Sequence, residues 1–454
     1  MIRMNVKLVS FIFMLTVVLL QSNTKGAKVN LWRDFKFLLE PLYNYLFPKD
    51  PVVRVRKPED VKTEQNNVTL LNFIGLVEKH GYSAEEYYVT TKDGYNLVIH
   101  RISERPLSKT QQRRKVVFFQ HGLLVSSDTW VLLGPGRDLA FLLVDQGYDV
   151  WLGNYRGSSY CKSHVKISSQ NKDFWQFSYH EMGTRDLPAM IDYVLNYTKQ
   201  KTLRYIGHSM GTTMFFILLS MKPEYNAKIE LGICLAPIAI WKEPYPLNVF
   251  KYIGNEDIKE FFDFNKIYEL YSTSSRIIKM GRTLCADKTI TQALCVAIIS
   301  LISGFNSAQF NAVHFTNLIC STILLITLLP EILSYFPSGC SMQTLHHYYQ
   351  NLITEKFQAY DYGYLDNYKQ YGQIRPITYD LKKITTPLAL FYSGNDFFTS
   401  KPSVLETYRH LPNVIVLEEI SYKLFNHLDF LYAIDVKTLL YDRLIQLLRK
   451  FNYN

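Results

Sequence analysis

This chain has little of what marks several large protein classes. Its 454 residues hold only 6 cysteines and no C-x-x-C pair. That excludes a disulfide-built scaffold and leaves no paired-cysteine zinc motif. Internal repeats and low-complexity stretches are absent, so solenoid and linker-dominated architectures are excluded. Basic residues outnumber acidic ones by 50 to 40, for a net charge of +10. They are scattered, however, without the clusters of a nucleic-acid-binding surface, and no nucleic-acid partner is expected. The excess suits a solvated basic face and also favours approach to anionic lipid. No apolar run reaches the ~20 residues that a spanning helix needs, so no stable transmembrane segment is expected.

What is present begins at the amino terminus. Met1 to Lys7 carries Arg3 and Lys7, Leu8 to Leu20 runs without charge, and a polar stretch leads to the small residues Gly26 and Ala27. This order is that of a secretory signal peptide over residues 1–26. Two N-x-S/T sequons, at Asn67 and Asn196, fit export and mark candidate glycosylation sites.

The most informative motif is Gly207-His208-Ser209-Met210-Gly211. It lies between a strand-like run, Leu203 to Ile206, and an apolar run, Thr212 to Leu219, that can form a buried helix. A G-x-S-x-G in that setting is the pattern of a nucleophile elbow. The turn is so tight that residues two positions either side of the serine must lack side chains. Val116 to Phe119 is a buried-strand pattern followed by Gln120-His121-Gly122-Leu123-Leu124. A turn there can aim the backbone N–H of Leu123 at a reacting carbonyl oxygen. The second N–H is that of Met210, the residue after the serine. His121 reads as a structural hydrogen-bonder.

Two further strand candidates, Pro387 to Tyr392 and Val414 to Leu417, precede Ser393-Gly394-Asn395-Asp396 and Phe425-Asn426-His427. A serine hydroxyl needs a base to take its proton and an acid to orient that base. Ser209, Asp396 and His427 supply these in the order Ser, Asp, His, which is that of the α/β-hydrolases. Asp429 and Asp435 are rival acids, disfavoured because they follow His427 closely. Strand and helix signals alternate from Lys115 to about Pro237 and return near Pro387. This predicts a mostly parallel central sheet with helices on both faces. Leu187, Met190, Ile191, Val194 and Leu195 recur at helical spacing, and Val436 to Lys450 reads as an amphipathic helix.

Several segments besides the elbow make the chain resemble the acid lipase family, which includes gastric lipase, lysosomal acid lipase and many insect lipases. They include Gly81 to Tyr87, Thr91 to Tyr95, Gln120 to Leu124, Asp149 to Gly157, Phe174 to Ser178 and Asn426 to Leu431, in shared order. The resemblance runs from about Val68 to the carboxyl terminus, broken mainly in the middle. It implies Ser209 as nucleophile, Asp396 as acid, His427 as base, and the Leu123 and Met210 amides as the oxyanion hole. It also implies a Cys285–Cys295 disulfide. Cys320 and Cys340 are a second candidate pair, whereas Cys161 and Cys234 read as buried thiols. The chain departs from the family at Met210, where glutamine is usual, and at Phe397 to Pro402 after the acid.

The expected organisation is a signal peptide (1–26), an amino-terminal extension (27–66), a first core part (67–239), a helical cap (240–375) and a second core part (376–454). Within the cap, Leu294 to Ile302 and Leu318 to Leu329 are dense apolar runs. They read as the cap's own core, or more sharply as a lipid-contact face. Two function classes follow. One is a secreted or lysosomal serine lipase that meets the lipid–water interface and cleaves neutral lipid esters without metal or cofactor. The other is a non-catalytic lipid-binding or storage protein on the same scaffold, which would be expected to lose a triad member.

Overall fold

Short runs of branched and aromatic residues form the strands at the centre of the molecule. Those of the main sheet are β1 (Ser83–Thr90), β2 (Tyr95–Ser103), β3 (Val116–Gln120), β4 (Asp149–Gly153), β5 (Leu203–His208), β6 (Ile229–Leu235), β7 (Leu388–Tyr392) and β8 (Val414–Glu419), with a two-residue ninth, Ser163–His164, paired antiparallel to the start of β2. The computed structural model describes residues 52–61, 68–103, 114–242, 268–272, 274–286 and 329–451, with positions 289, 291, 292, 295, 299, 303 and 304 between. The signal-peptide segment 1–26, the extension up to residue 51, Asn67, Cys320 and most of the two apolar cap runs lie outside the described residues.

The strand order is β8-β7-β6-β5-β3-β4-β2-β1. From β4 through β8 every neighbour is parallel. β1 and β2 form an antiparallel hairpin, and β2 runs antiparallel to β4. Reading the alternation explains the layers. Val117, Phe119, Val150, Leu152, Ile206, Ala389 and Phe391 face one apolar cluster, together with helices Leu139–Asp145 and Asp442–Lys450. Val116, Phe118, Trp151, Tyr205, Leu388 and Leu390 face the other, with helices Leu187–Thr198 and Met210–Met221. A strand buried on both faces reads as continuously apolar, which is what a parallel sheet between two helix layers requires.

The helix predicted from Leu187, Met190, Ile191, Val194 and Leu195 buries those five side chains. The carboxyl-terminal helix opens with a widened turn over Lys437–Tyr441 before Asp442–Lys450. Between the two core parts the described residues are not purely helical. Glu269–Ser272 pairs antiparallel with Ser338–Ser341, alongside helices Ser275–Leu284, Met342–Thr354 and Tyr364–Tyr371. The strands of this ribbon are too short to show a clear alternation. Among the described residues, no helix is long and apolar enough to cross a membrane.

Cys285 and Cys295 are disulfide-bonded. Cys161 and Cys234 are buried free thiols as expected, but so is Cys340, which removes the candidate Cys320–Cys340 bond. Burial pushes the Cys340 thiol up to about 12. It packs as a small apolar group in the second cluster.

A buried ion-pair group locks the loop after β4. Arg156 bonds Asp186 through Nε at 2.8 Å and Nη2 at 2.6 Å, and Asp93 through Nη1 at 2.7 Å. Its guanidinium lies 3.9 Å above the centre of the Tyr95 ring. Interior arginine is tolerated when its donors are spent in this way.

Candidate active site

The elbow is built by close backbone approach. Ser209 sits between β5 and helix Met210–Met221 with φ 54° and ψ −122°, a conformation that costs a non-glycine residue on the order of 1–3 kcal/mol. A Cβ at Gly207 would lie 3.0 Å from the Gly211 carbonyl carbon, and one at Gly211 would lie 2.4 Å from the Gln120 carbonyl oxygen. The two glycines therefore let the turn close on itself and dock against the end of β3. Ser209 N–H donates to the Leu235 carbonyl at 3.0 Å, and its own carbonyl accepts from Thr212 N–H at 2.8 Å.

Asp396 and His427 reach the same point from the loops after β7 and β8. The Asp396 Oδ2 to His427 Nδ1 distance is 2.8 Å, and His427 Nε2 lies 2.8 Å from Ser209 Oγ. A carboxylate only accepts, so Nδ1 carries the ring proton and Nε2 accepts from the serine hydroxyl. The two loops are tied together. Ser393 Oγ–H donates to the Phe425 carbonyl, and the Asn395 side-chain amide donates to the Leu424 carbonyl at 2.8 Å. Asn426 braces the turn by accepting from the Leu428 and Asp429 backbones at 2.9 and 3.1 Å.

Of the candidate acids, Asp396 is the one seen bonded to the His427 ring. Asp429 accepts the Asn426 backbone N–H at 2.7 Å, and Asp435 is exposed. Asp396 Oδ1 takes Phe398 N–H at 2.8 Å and Thr399 N–H at 2.9 Å, while Oδ2 also takes the Thr399 hydroxyl at 2.6 Å. Burial alone would raise this carboxyl, but the His427 ring and the Thr399 donors outweigh it and hold it below its ordinary range. Thr399 lies in the stretch that departs from the family pattern, and the sequence reading missed its role; an Asp followed three residues later by Thr is the local signal that could have found it.

Two other histidines stay neutral. Burial, helped by the nearby His427, pushes His208 down to about 3, and its Nε2–H donates to the His427 carbonyl at 3.1 Å. Burial pushes His121 down to about 4, and its Nδ1–H donates to the Gly122 carbonyl at 3.0 Å, the structural role expected of it.

The loop after β3 lies directly against the serine: a Cβ at Gly122 would stand 3.0 Å from the Ser209 Cβ. Leu123 follows in that loop, and Met210 is the first residue of the elbow helix. Asn196 is exposed in the last turn of helix Leu187–Thr198. The sequence did not point to two residues from the middle segment. Ser303 accepts the His427 backbone N–H at 3.2 Å, and a Cβ at Gly304 would fall 2.0 Å from the Asn395 carbonyl oxygen.

Ser209 and His427 are each only 6% exposed and Asp396 2%. The arrangement is a shielded hydroxyl–imidazole–carboxylate relay, able to attack a carbonyl carbon and to carry a proton from nucleophile to leaving group.

The chain is similar to known lipases. Residues 73–134 match the model of the partial alpha/beta-hydrolase lipase region, and residues 115–254 that of the alpha/beta hydrolase fold. Lipase 1 of Drosophila melanogaster is 36% identical over 87% of this chain and 83% of its own length. Human gastric triacylglycerol lipase is 34% identical over 83% of this chain and 91% of its own. Human lysosomal acid lipase/cholesteryl ester hydrolase is 34% identical over 84% of this chain and 92% of its own.

Proposed function

The chain belongs to the acid lipase family of the α/β-hydrolase fold, and we propose that Ser209 is the nucleophile with which it cleaves the ester bonds of neutral lipids. Ser209 Oγ attacks the ester carbonyl carbon while His427 Nε2 takes its proton. The carbonyl oxygen becomes an oxyanion and accepts hydrogen bonds from the backbone N–H groups of Leu123 and Met210. Each such donor is worth about 3 kcal/mol in the transition state. The bond from carbonyl carbon to alcohol oxygen then breaks, and His427 returns the proton to the departing alcohol. An acyl-Ser209 ester remains. Water, deprotonated by the same imidazole, releases the fatty acid and restores the serine. Asp396 stays ionised throughout and stabilises the imidazolium.

The observation that carries this reading is the Ser209–His427–Asp396 chain, with both links at 2.8 Å. A protein kept only for binding or storage has no use for a strained serine aimed at a base, so the non-catalytic reading gains nothing here. Because both oxyanion donors are backbone groups, Met210 in place of the family's usual glutamine leaves the chemistry intact.

The substrates are long-chain esters of glycerol or sterol, supported by the names of the two human relatives. Export to the extracellular space or the lysosome is supported by the leader-like residues 1–26, the bonded Cys285–Cys295 pair and the exposed Asn196 sequon. The test is a fluorophosphonate probe followed by peptide mapping. Label is expected on Ser209 in the wild-type protein and none in Ser209→Ala, which should also lose ester turnover by several orders of magnitude. Comparable turnover in Ser209→Ala ends the reading. A panel of triacylglycerols and sterol esters then fixes the preferred lipid.

A further inference from the structure

Three consecutive residues after β4 act together on the loop that bears Leu123. The Asn154 Oδ1 accepts Ser127 N–H at 2.9 Å, and the Asn154 amide donates to the Ser127 hydroxyl at 3.1 Å. The Tyr155 hydroxyl accepts Leu124 N–H at 3.1 Å. Arg156 anchors the tripeptide to Asp186 and Asp93 in the interior. One rigid stretch thus grips the β3 loop at residues 124 and 127.

The grip at Leu124 has a specific physical need. Leu124 has φ 62°, a left-handed conformation that a leucine does not hold without outside support. Its carbonyl is also held, accepting Ser338 N–H at 2.7 Å. Fixing both polar groups of Leu124 fixes the chain one residue after Leu123, whose N–H must point at the developing oxyanion. Tyr155 is itself immobile: it is fully buried, and its ring centre lies 4.6 Å from that of His121.

We propose that Tyr155 is a positioning residue for ester hydrolysis, its hydroxyl holding Leu124 in the backbone conformation that aims the Leu123 amide into the oxyanion hole. This rests on the assignment of the Leu123 amide as an oxyanion donor. Tyr155 touches no reacting atom and acts through the loop alone. A tyrosine that merely filled the core would perform equally well as phenylalanine, because the ring accounts for its packing. The hydroxyl matters only if the Leu124 N–H must be held. Burial also raises this phenol well above its ordinary range, so it remains the neutral acceptor that this role needs.

The experiment compares wild type, Tyr155→Phe and Ser209→Ala as full-length secreted proteins, with a soluble short-chain ester as substrate. A trifluoromethyl ketone, which adds to the serine as a tetrahedral oxyanion, is the second probe. Tyr155→Phe is expected to lower kcat about tenfold with KM little changed, and to weaken ketone binding by a similar factor. Its thermal midpoint should stay near that of wild type. Wild-type kcat in Tyr155→Phe overturns the proposal. So does a loss that appears in KM or in the folded fraction but not in ketone affinity, since that pattern belongs to packing. Should Tyr155→Phe not be recovered folded, Ser127→Ala, which loosens the Asn154 grip on the same loop, must show the same split between kcat and KM or the proposal falls. Persistent turnover in Ser209→Ala would sink the serine mechanism itself, independently of Tyr155.

Discussion

Replacing Asp396 by asparagine should damage catalysis far more than its small change in shape suggests. The carboxylate receives four hydrogen bonds: Phe398 N–H and Thr399 N–H on Oδ1, and the Thr399 hydroxyl and His427 Nδ1–H on Oδ2. An amide has one oxygen and one NH2 group. Two backbone donors demand that the oxygen stay on the Oδ1 side, because those N–H groups cannot rotate away. The NH2 must then occupy the Oδ2 position, facing His427 Nδ1. There it donates, and the imidazole must accept at Nδ1 and carry its proton at Nε2 instead. Nε2–H cannot take the proton of Ser209 Oγ. Thr399 adapts, since its hydroxyl can turn to accept. The fold should therefore survive while the base is held in the wrong tautomer, at a cost in kcat of about 10⁴-fold, or about 5 kcal/mol of transition-state stabilisation. The assay is kcat on a soluble short-chain ester near neutral pH, with circular dichroism as the folding control. A kcat within tenfold of wild type would refute the tautomer argument. So would a rescue by Thr399→Val, which leaves the NH2 with one acceptor fewer and so keeps it on His427.

Other outcomes follow from the same geometry. Gly211→Ala drives a methyl group toward the Gln120 carbonyl at 2.4 Å. It should destabilise the protein by about 3 kcal/mol, and an unchanged denaturation midpoint would contradict the close docking of elbow on β3. Arg156→Met strips buried Asp186 of its two guanidinium bonds and leaves it only the backbone N–H of residue 156. About 3–5 kcal/mol of stability should be lost in urea unfolding, and a loss under 1 kcal/mol would show that the cluster is dispensable. The pH dependence has a definite sign. Asp396 is held below its ordinary value, so its ionised form adds stability that is full above the unfolded-state value of about 3.9 and fades as pH falls through the lower folded value. The stability gap between wild type and Asp396→Asn should be wide near pH 7 and narrower near pH 3 in parallel urea titrations; a gap that widens on acidification would mean the carboxyl is not held low.

Much of the core was legible because its signals are local. The elbow declares itself once its five residues are read between a strand-like and a helix-like run, and Val116 to Phe119 and Pro387 to Tyr392 read as buried strands. Asp396 and His427 could be chosen because each follows such a strand, and chain order selected the fold. The rest depends on contacts between distant residues. Nothing near Tyr155 announces that its hydroxyl meets Leu124 some thirty positions earlier, and leucine gives no warning of a positive φ as glycine does. The Glu269–Ser272 and Ser338–Ser341 ribbon joins two four-residue strands across a long interval, which no local pattern links. Cys340 shows the same limit: a cysteine in a chain with a leader-like start suggests a partner, and only its packing in the second apolar cluster reveals a free thiol.

Gly304 carries a consequence for how relatives of this enzyme can diverge. With φ 124°, it brings its backbone against Asn395 and within 2.9 Å of the Asn426 Cβ, measured from where a side chain would begin. The neighbours of the acid and the base thus share a single seat in the stretch that separates the two halves of the core. The seat itself has room only for hydrogen. Natural selection can redraw what surrounds the substrate; at this position it must leave the alignment of the proton relay alone.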